Sequence, residues 1–274
     1  MPTTHKTQPI DRLIRLALVT LAAMLVVLLI LVIVFFATKP PKEPAIPADT
    51  APTEQPATDT VTLPQTPDAG AEYQNSLIFV GDSLTAHLRS HGVLKGGKDT
   101  KQVWTCENNT MTLSSEINAV KIVYPETGEK MTISEAAAKA KPAILVINLG
   151  INGFAFLNEA EFKAHYTALI KAIQEVSPDT GIILQSIYPV TDFCTTFEKS
   201  LDGQPPNPKI DQTNTWVKAV AAENGCRYLD TQSILKDEKN NLKTEYCNNL
   251  DGIHMGKNAY VQILEYVRTH AYTD

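Results

Sequence analysis

The chain has 274 residues, with 24 Lys and Arg against 30 Asp and Glu and a formal net charge of −6 at pH 7. That balance lacks the basic surface that neutralises phosphates, so no nucleic-acid partner is expected. No internal repeat divides the sequence, and the stretch beyond residue 75 is long enough for one domain with a substantial core.

The first feature in chain order is the apolar run Leu16 to Ala37, broken only by Thr20. About 20 such residues cross the hydrocarbon core of a bilayer, whereas a cleaved signal has an apolar core of only ~7–15. Residues 16–38 are therefore predicted to be a transmembrane anchor. Lys6, Arg12 and Arg15 against Asp11 precede it, which favours a cytoplasmic tail over residues 1–15 and places the rest of the chain outside the plasma membrane. Residues 39–75 shift to Pro, Ala, Thr and acids, as in Pro40-Pro41-Lys42-Glu43-Pro44. Such a stretch buries too little apolar surface to offset its ordering entropy, and an extended, disordered stalk is predicted.

Residues 76–274 form the predicted domain. Strands are predicted over Leu77 to Val80, Gln102 to Thr105, Ile144 to Asn148, Ile182 to Ser186 and Cys226 to Leu229, and helices over Glu159 to Val176, Asp211 to Glu223 and Lys257 to His270. The three-and-four spacing of Phe162, Tyr166, Leu169, Ile170 and Ile173 marks one buried helix face. Alternating strands and helices imply a parallel sheet covered on both sides, a three-layer α/β/α sandwich. One insertion breaks the alternation: Lys121 to Tyr124 and Lys130 to Ile133 flank Pro125-Glu126-Thr127-Gly128-Glu129, a hairpin pattern that either walls the cleft or caps a sheet edge.

Two short motifs hold the chemistry. Gly81-Asp82-Ser83-Leu84 follows the first strand, and Asp251-Gly252-Ile253-His254 lies near the C-terminus. A serine hydroxyl becomes a nucleophile when an imidazole takes its proton, and the imidazole works best with a carboxylate on its other nitrogen. A strand running into Gly-Asp-Ser places the hydroxyl at the C-terminal edge of the sheet, where open α/β folds bind ligands.

From residue 76 to 272 the chain resembles the GDSL esterase/lipase family, also called SGNH hydrolases, through these two motifs and Leu149-Gly150-Ile151-Asn152-Gly153 after the third strand. The resemblance implies a flavodoxin-like fold, Ser83 as nucleophile, His254 as general base, Asp251 as its partner, and the Ser83 backbone and Asn152 side chain as oxyanion donors. Two departures stand out. The family has Asp where this chain has Gly153, and no Gly lies between Val103 and Ser115 to supply a further backbone donor. Asn108 and Asn109, of a residue type tolerant of positive φ, are the nearest candidates to supply it, with Asn109 the expected substitute.

The four cysteines fall in a compartment where disulfides persist. Cys226 opens an apolar run and is expected to be a buried thiol, while a Cys194–Cys247 disulfide is expected to tie two loops at the catalytic edge. His87 and His91, four apart on the helix after Ser83, share a face, with His87 near the cleft. They lack the companions of a metal motif, so neither metal nor cofactor is predicted. Gly96-Gly97-Lys98 is a turn, since the further residues of a phosphate loop are missing.

The expected protein is a membrane-anchored, extracytoplasmic serine esterase with a monomeric catalytic domain. Its expected substrates are acylated carbohydrate or lipid, with acetyl groups on envelope carbohydrate foremost. An envelope acyltransferase using the same triad, and a non-catalytic envelope-binding module, are the alternatives.

Overall fold

The computed structural model describes Leu18, Met24, residues 59–248 and residues 251–272. Leu18 and Met24 are helical and exposed. The rest of the predicted anchor, the cytoplasmic tail and the stalk as far as residue 58 lie outside the described residues. Among the described residues no helix is long and apolar enough to cross a membrane.

Chain order in the domain is α1 (Gly70–Ser76), β1 (Leu77–Gly81), α2 (Ser83–Ser90), β2 (Val103–Trp104), β3 (Lys121–Val123), β4 (Lys130–Thr132), α3 (Ile133–Ala140), β5 (Ile144–Asn148), α4 (Glu159–Val176), β6 (Gly181–Gln185), α5 (Pro206–Glu223), β7 (Arg227–Leu229), α6 (Gln232–Leu235) and α7 (Lys257–Arg268). Five strands form one parallel sheet in the order β2-β1-β5-β6-β7. Every residue of β5 is buried, as a strand covered on both faces requires. The predicted helix face of Phe162, Tyr166, Leu169, Ile170 and Ile173 is buried, and Asn158 and Glu161 cap α4 reciprocally at 3.0 and 3.2 Å. α5 begins at Pro206, five residues before the predicted Asp211, because Pro suits the first helical turn.

The strand order sets the position of the site. From β1 the chain moves outward to β2, then returns across to β5 on the other side. The crevice above the C-terminal ends of β1 and β5 is thus the topological switch point, where ligands bind in folds of this kind. In-register pairing of Gly81 with Asn148 brings the segments that follow, with Ser83 and Asn152, to that crevice.

Both edges of the sheet are covered. The predicted hairpin forms as β3 and β4, with Val123 N–H donating to the Thr105 carbonyl at 3.0 Å and Tyr124 packed against Trp104. It therefore caps the β2 edge. At the other edge, residues 61–63 pair with Tyr228: Tyr228 N–H donates to Val61 and Leu63 N–H donates to Tyr228, each at 2.9 Å. This corrects the predicted stalk, whose last part, residues 59–75, belongs to the domain. Leu63 is 5% exposed, and Thr66 and Ala69 donate to the carbonyls of Thr269 and Arg268 at the end of α7. The polar, Pro-rich composition masked a segment ordered by backbone pairing and by Val61, Leu63 and Tyr73 packed on the core. Leu63→Ala is expected to cost about 2–5 kcal/mol, the usual range for a buried leucine. An unchanged urea midpoint would mean that the segment contributes nothing to the fold.

Candidate active site

Ser83 opens α2 and is partly exposed. Asp82, before it, is the N-cap, and its Oδ1 accepts the Leu84 N–H at 3.0 Å. The first N–H groups of a helix have no acceptor within it, which leaves the Ser83 amide without an intrahelical partner next to its own hydroxyl. On the opposite loop, Asp251 Oδ1 accepts the N–H groups of Ile253 at 2.8 Å and His254 at 3.0 Å, folding the motif into a tight turn. Gly252 in that turn has φ +73°, and a methyl there would lie 2.3 Å from Thr191 Oγ1.

The turn delivers a connected relay. His254 Nε2 lies 3.0 Å from Ser83 Oγ, and His254 Nδ1 lies 2.7 Å from Asp251 Oδ2. Burial tends to raise the Asp251 pKa, but hydrogen bonds from the His254 side chain and from the Ile253 and His254 N–H groups hold it below the usual carboxylate value. The acid thus remains an anion able to fix the His254 tautomer that leaves Nε2 facing the serine.

Helix α2 also grips the histidine loop. The ring of His87 packs at 4.9 Å from that of His254, and His91 Nε2 lies 3.0 Å from the Met255 carbonyl. Burial, then the neighbouring His254 and His91, push the His87 pKa down, so this second imidazole tends to stay neutral beside the first. The four-residue spacing foretold a shared face near the cleft. The role of His91 as a clamp on the loop was not visible, because the acceptor is a backbone carbonyl 164 positions away.

The remaining predicted residues divide. Asn152 Nδ2 donates one hydrogen bond to the Met111 carbonyl at 3.0 Å, and an amide nitrogen carries two donors. Gly150 before it has φ +134°, and a Cβ there would strike Ile187 at 2.5 Å, so only glycine fits that turn. Gly153 closes the same turn by donating its N–H to the Gly150 carbonyl at 2.9 Å. Asn109 takes the expected positive φ, 56°, but its N–H donates to the Cys106 carbonyl at 3.0 Å. That donor is spent on a local turn, which corrects its expected part in an oxyanion hole.

The expected Cys194–Cys247 disulfide is also corrected: both residues are thiols. Backbone bonds hold the loops instead, with Thr191 N–H donating to the Gly252 carbonyl, Asn248 N–H to His254 and Gly256 N–H to Tyr246, all within 2.8–2.9 Å. Cys226 is buried, and burial pushes its thiol pKa up to about 12.

A family model for GDSL-like lipase/acylhydrolase matches residues 79–261, well over half of the chain. The chain belongs to this family. Among solved structures, a Streptococcus pneumonia protein described provisionally as a platelet activating factor is 18% identical over 73% of this chain and 85% of its own, with a TM-score of 0.53. A GDSL-like lipase from Bacteroides thetaiotaomicron is 18% identical over 72% and 87%, with a TM-score of 0.47. An acetylxylan esterase from Geobacillus stearothermophilus is 19% identical over 72% and 94%, with a TM-score of 0.43. No curated protein matches. As a GDSL acylhydrolase, the chain is a serine ester hydrolase, and the hydrogen-bonded set around Ser83 sits where the fold of this family binds ligands.

Proposed function

We propose that the protein removes short acyl groups, acetyl foremost, from carbohydrate of the cell envelope, with its domain held outside the plasma membrane by the apolar segment 16–38. The single observation that carries the catalytic part is the relay from Ser83 through His254 to Asp251.

In this reading His254 takes the Ser83 proton as Oγ attacks the ester carbonyl. The developing oxyanion lies against the Ser83 N–H and the second amide proton of Asn152, and His254⁺ then protonates the leaving sugar hydroxyl. Asp251 stabilises the imidazolium without accepting its proton. Water activated by the same imidazole attacks the acyl-serine and releases the acid. Reuse of one base for both halves explains why a single histidine suffices. The envelope location rests on the apolar run with its basic flank.

The full chain is expected to hydrolyse p-nitrophenyl acetate faster than butyrate and butyrate faster than octanoate. A rate rising with chain length would remove the short-acyl reading. A phosphatase reporter fused to the C-terminus is expected to be active in intact cells, and a silent reporter would remove the extracytoplasmic location.

A further inference from the structure

Residues from the segment 191–208, with Asp211 and residues 239–241, line an open cavity of about 640 Å³ that takes no part in the proton relay. Its volume is that of a small-ligand site. The floor is built and rigid: Asn207 is buried, its Nδ2 donates to the Val190 carbonyl and Asn241 Oδ1 at 2.8 Å each, and its Oδ1 accepts Val190 N–H at 2.9 Å. Around the opening stand the exposed side chains of Asp192, Glu198, Gln204 and Asn240, with Lys239 beside them.

The wall of this cavity is also the support of the catalytic turn. Thr191 and Cys194 line it, and both press on Gly252, where an added methyl would lie 2.3 Å from Thr191 Oγ1 and 2.9 Å from Cys194 Cβ. Gly252, which these two lining residues approach, lies between Asp251 and His254 in sequence. Thr191 Oγ1 is buried in that wall with no hydrogen-bond partner among the described residues. Phe193, between two lining residues in sequence, is 44% exposed, and Phe156, on the loop after β5, is 70% exposed. Their loops touch through Phe154 and Phe197, whose ring centroids are 4.8 Å apart.

Chemistry narrows the occupant. Pro205, Pro206 and Pro208 form an apolar part of the wall, but an acyl tail laid there would also cover the carboxylates and amides of the rim and leave them unpaired at a cost of about 1–3 kcal/mol each, whereas a sugar ring sets C–H faces on the prolines and hydroxyls on the rim. A polyanion would meet Asp192 and Glu198. Among the described residues no three His, Cys, Asp or Glu side chains converge to hold a metal ion. A sugar presents hydroxyls that pair with carboxylates and amides, and C–H faces that lie against exposed aromatic rings.

We propose that this cavity is a saccharide subsite, which holds an uncharged or amino-sugar chain while an ester further along it reaches Ser83. The proposal rests on the reading of the protein as a carbohydrate esterase and names where the carbohydrate is held. Phe193, exposed between the cavity residues Asp192 and Cys194 in sequence, provides an aromatic surface beside it.

The test uses the full chain in two assays. In calorimetry, the Ser83→Ala protein is expected to bind xylohexaose or chitohexaose and not polygalacturonate. Adding Glu198→Ala and Gln204→Ala is expected to weaken that binding about tenfold, the loss of one or two hydrogen bonds that include a charged partner. In turnover, Glu198→Ala with Gln204→Ala alone is expected to lower kcat/KM on acetylated xylohexaose or chitohexaose by a similar factor and leave p-nitrophenyl acetate hydrolysis unchanged. Both side chains are exposed, and the small-ester rate reports that the fold survives. Failure of both neutral oligosaccharides to bind, or binding indifferent to the rim substitutions, overturns the proposal. Saccharide binding without turnover of any ester would support the subsite while removing the esterase reading, so the two fail separately.

Discussion

Ser83→Ala is expected to lower kcat/KM for p-nitrophenyl acetate by about 10⁴–10⁶-fold, and His254→Ala by a similar factor. The double variant is expected to be no worse than either single one. The reason lies in the 3.0 Å contact between His254 Nε2 and Ser83 Oγ. Without the imidazole the hydroxyl keeps its proton, and without the hydroxyl the imidazole has nothing to activate, so the two losses are one loss counted twice. Asp251→Asn removes the anion 2.7 Å from Nδ1 and lets the wrong tautomer form, with an expected cost on the order of 10⁴-fold in kcat. Asn152→Ala leaves the relay intact and removes a single oxyanion donor, so about 10²–10³-fold is expected. Losses from Ser83→Ala and His254→Ala that multiply in the double variant would mean that the residues do not act as a unit, and the relay would have to be abandoned.

Asp82→Asn is expected to change the pH dependence of stability more than any other single substitution. Asp82 is fully buried beside the nucleophile, its Oδ2 has no hydrogen-bond partner among the described residues, and burial raises its pKa from 3.8 to about 7. Hydrogen bonds from the Leu84 N–H and its own N–H oppose the rise without overcoming it. The folded state therefore holds a proton that the unfolded chain has already released across this window. Stability from this group is fully present below pH 3.8 and is lost as the pH climbs to about 7. At ~1.4 kcal/mol per pH unit the loss is on the order of 4 kcal/mol.

Asparagine is neutral at every pH and caps helices as well as aspartate, so it preserves the bond to Leu84. Measured against the wild type, Asp82→Asn is expected to gain stability progressively from pH 4 to pH 7.5. For a domain of this size that corresponds to a difference in Tm growing by about 10 °C. A difference that stays flat with pH would show that Asp82 is ionised in the fold with a partner to match.

Much of this was readable from residues alone. Strands that pack on both faces announce themselves as short apolar runs, and Ile144 to Asn148 and Glu159 to Val176 end where the pattern places them. Ser83, His254 and Asp251 were legible because each motif folds locally and depends on its own backbone turn. Contacts made across the chain were not. Thr191 meets Gly252 and residues 61–63 meet Tyr228 through main-chain atoms, which every residue type possesses, and the His91 side chain meets the main-chain carbonyl of Met255. Asn109 shows the limit from the other side: its backbone conformation was foreseeable, but the Cys106 carbonyl that claims its N–H was not.

The covered edge at β7 has a practical corollary. Residues 61–63 run parallel to β7, α1 ends where β1 begins, and Tyr272 lies against Gly181 at the start of β6. Both ends of the domain therefore emerge beneath the sheet, while Ser83 lies above it, roughly 16 Å away along a five-residue strand. Coupling the domain to a bead or electrode near residue 59 or residue 272 leaves the nucleophile on the far side of the sheet, pointing into solution.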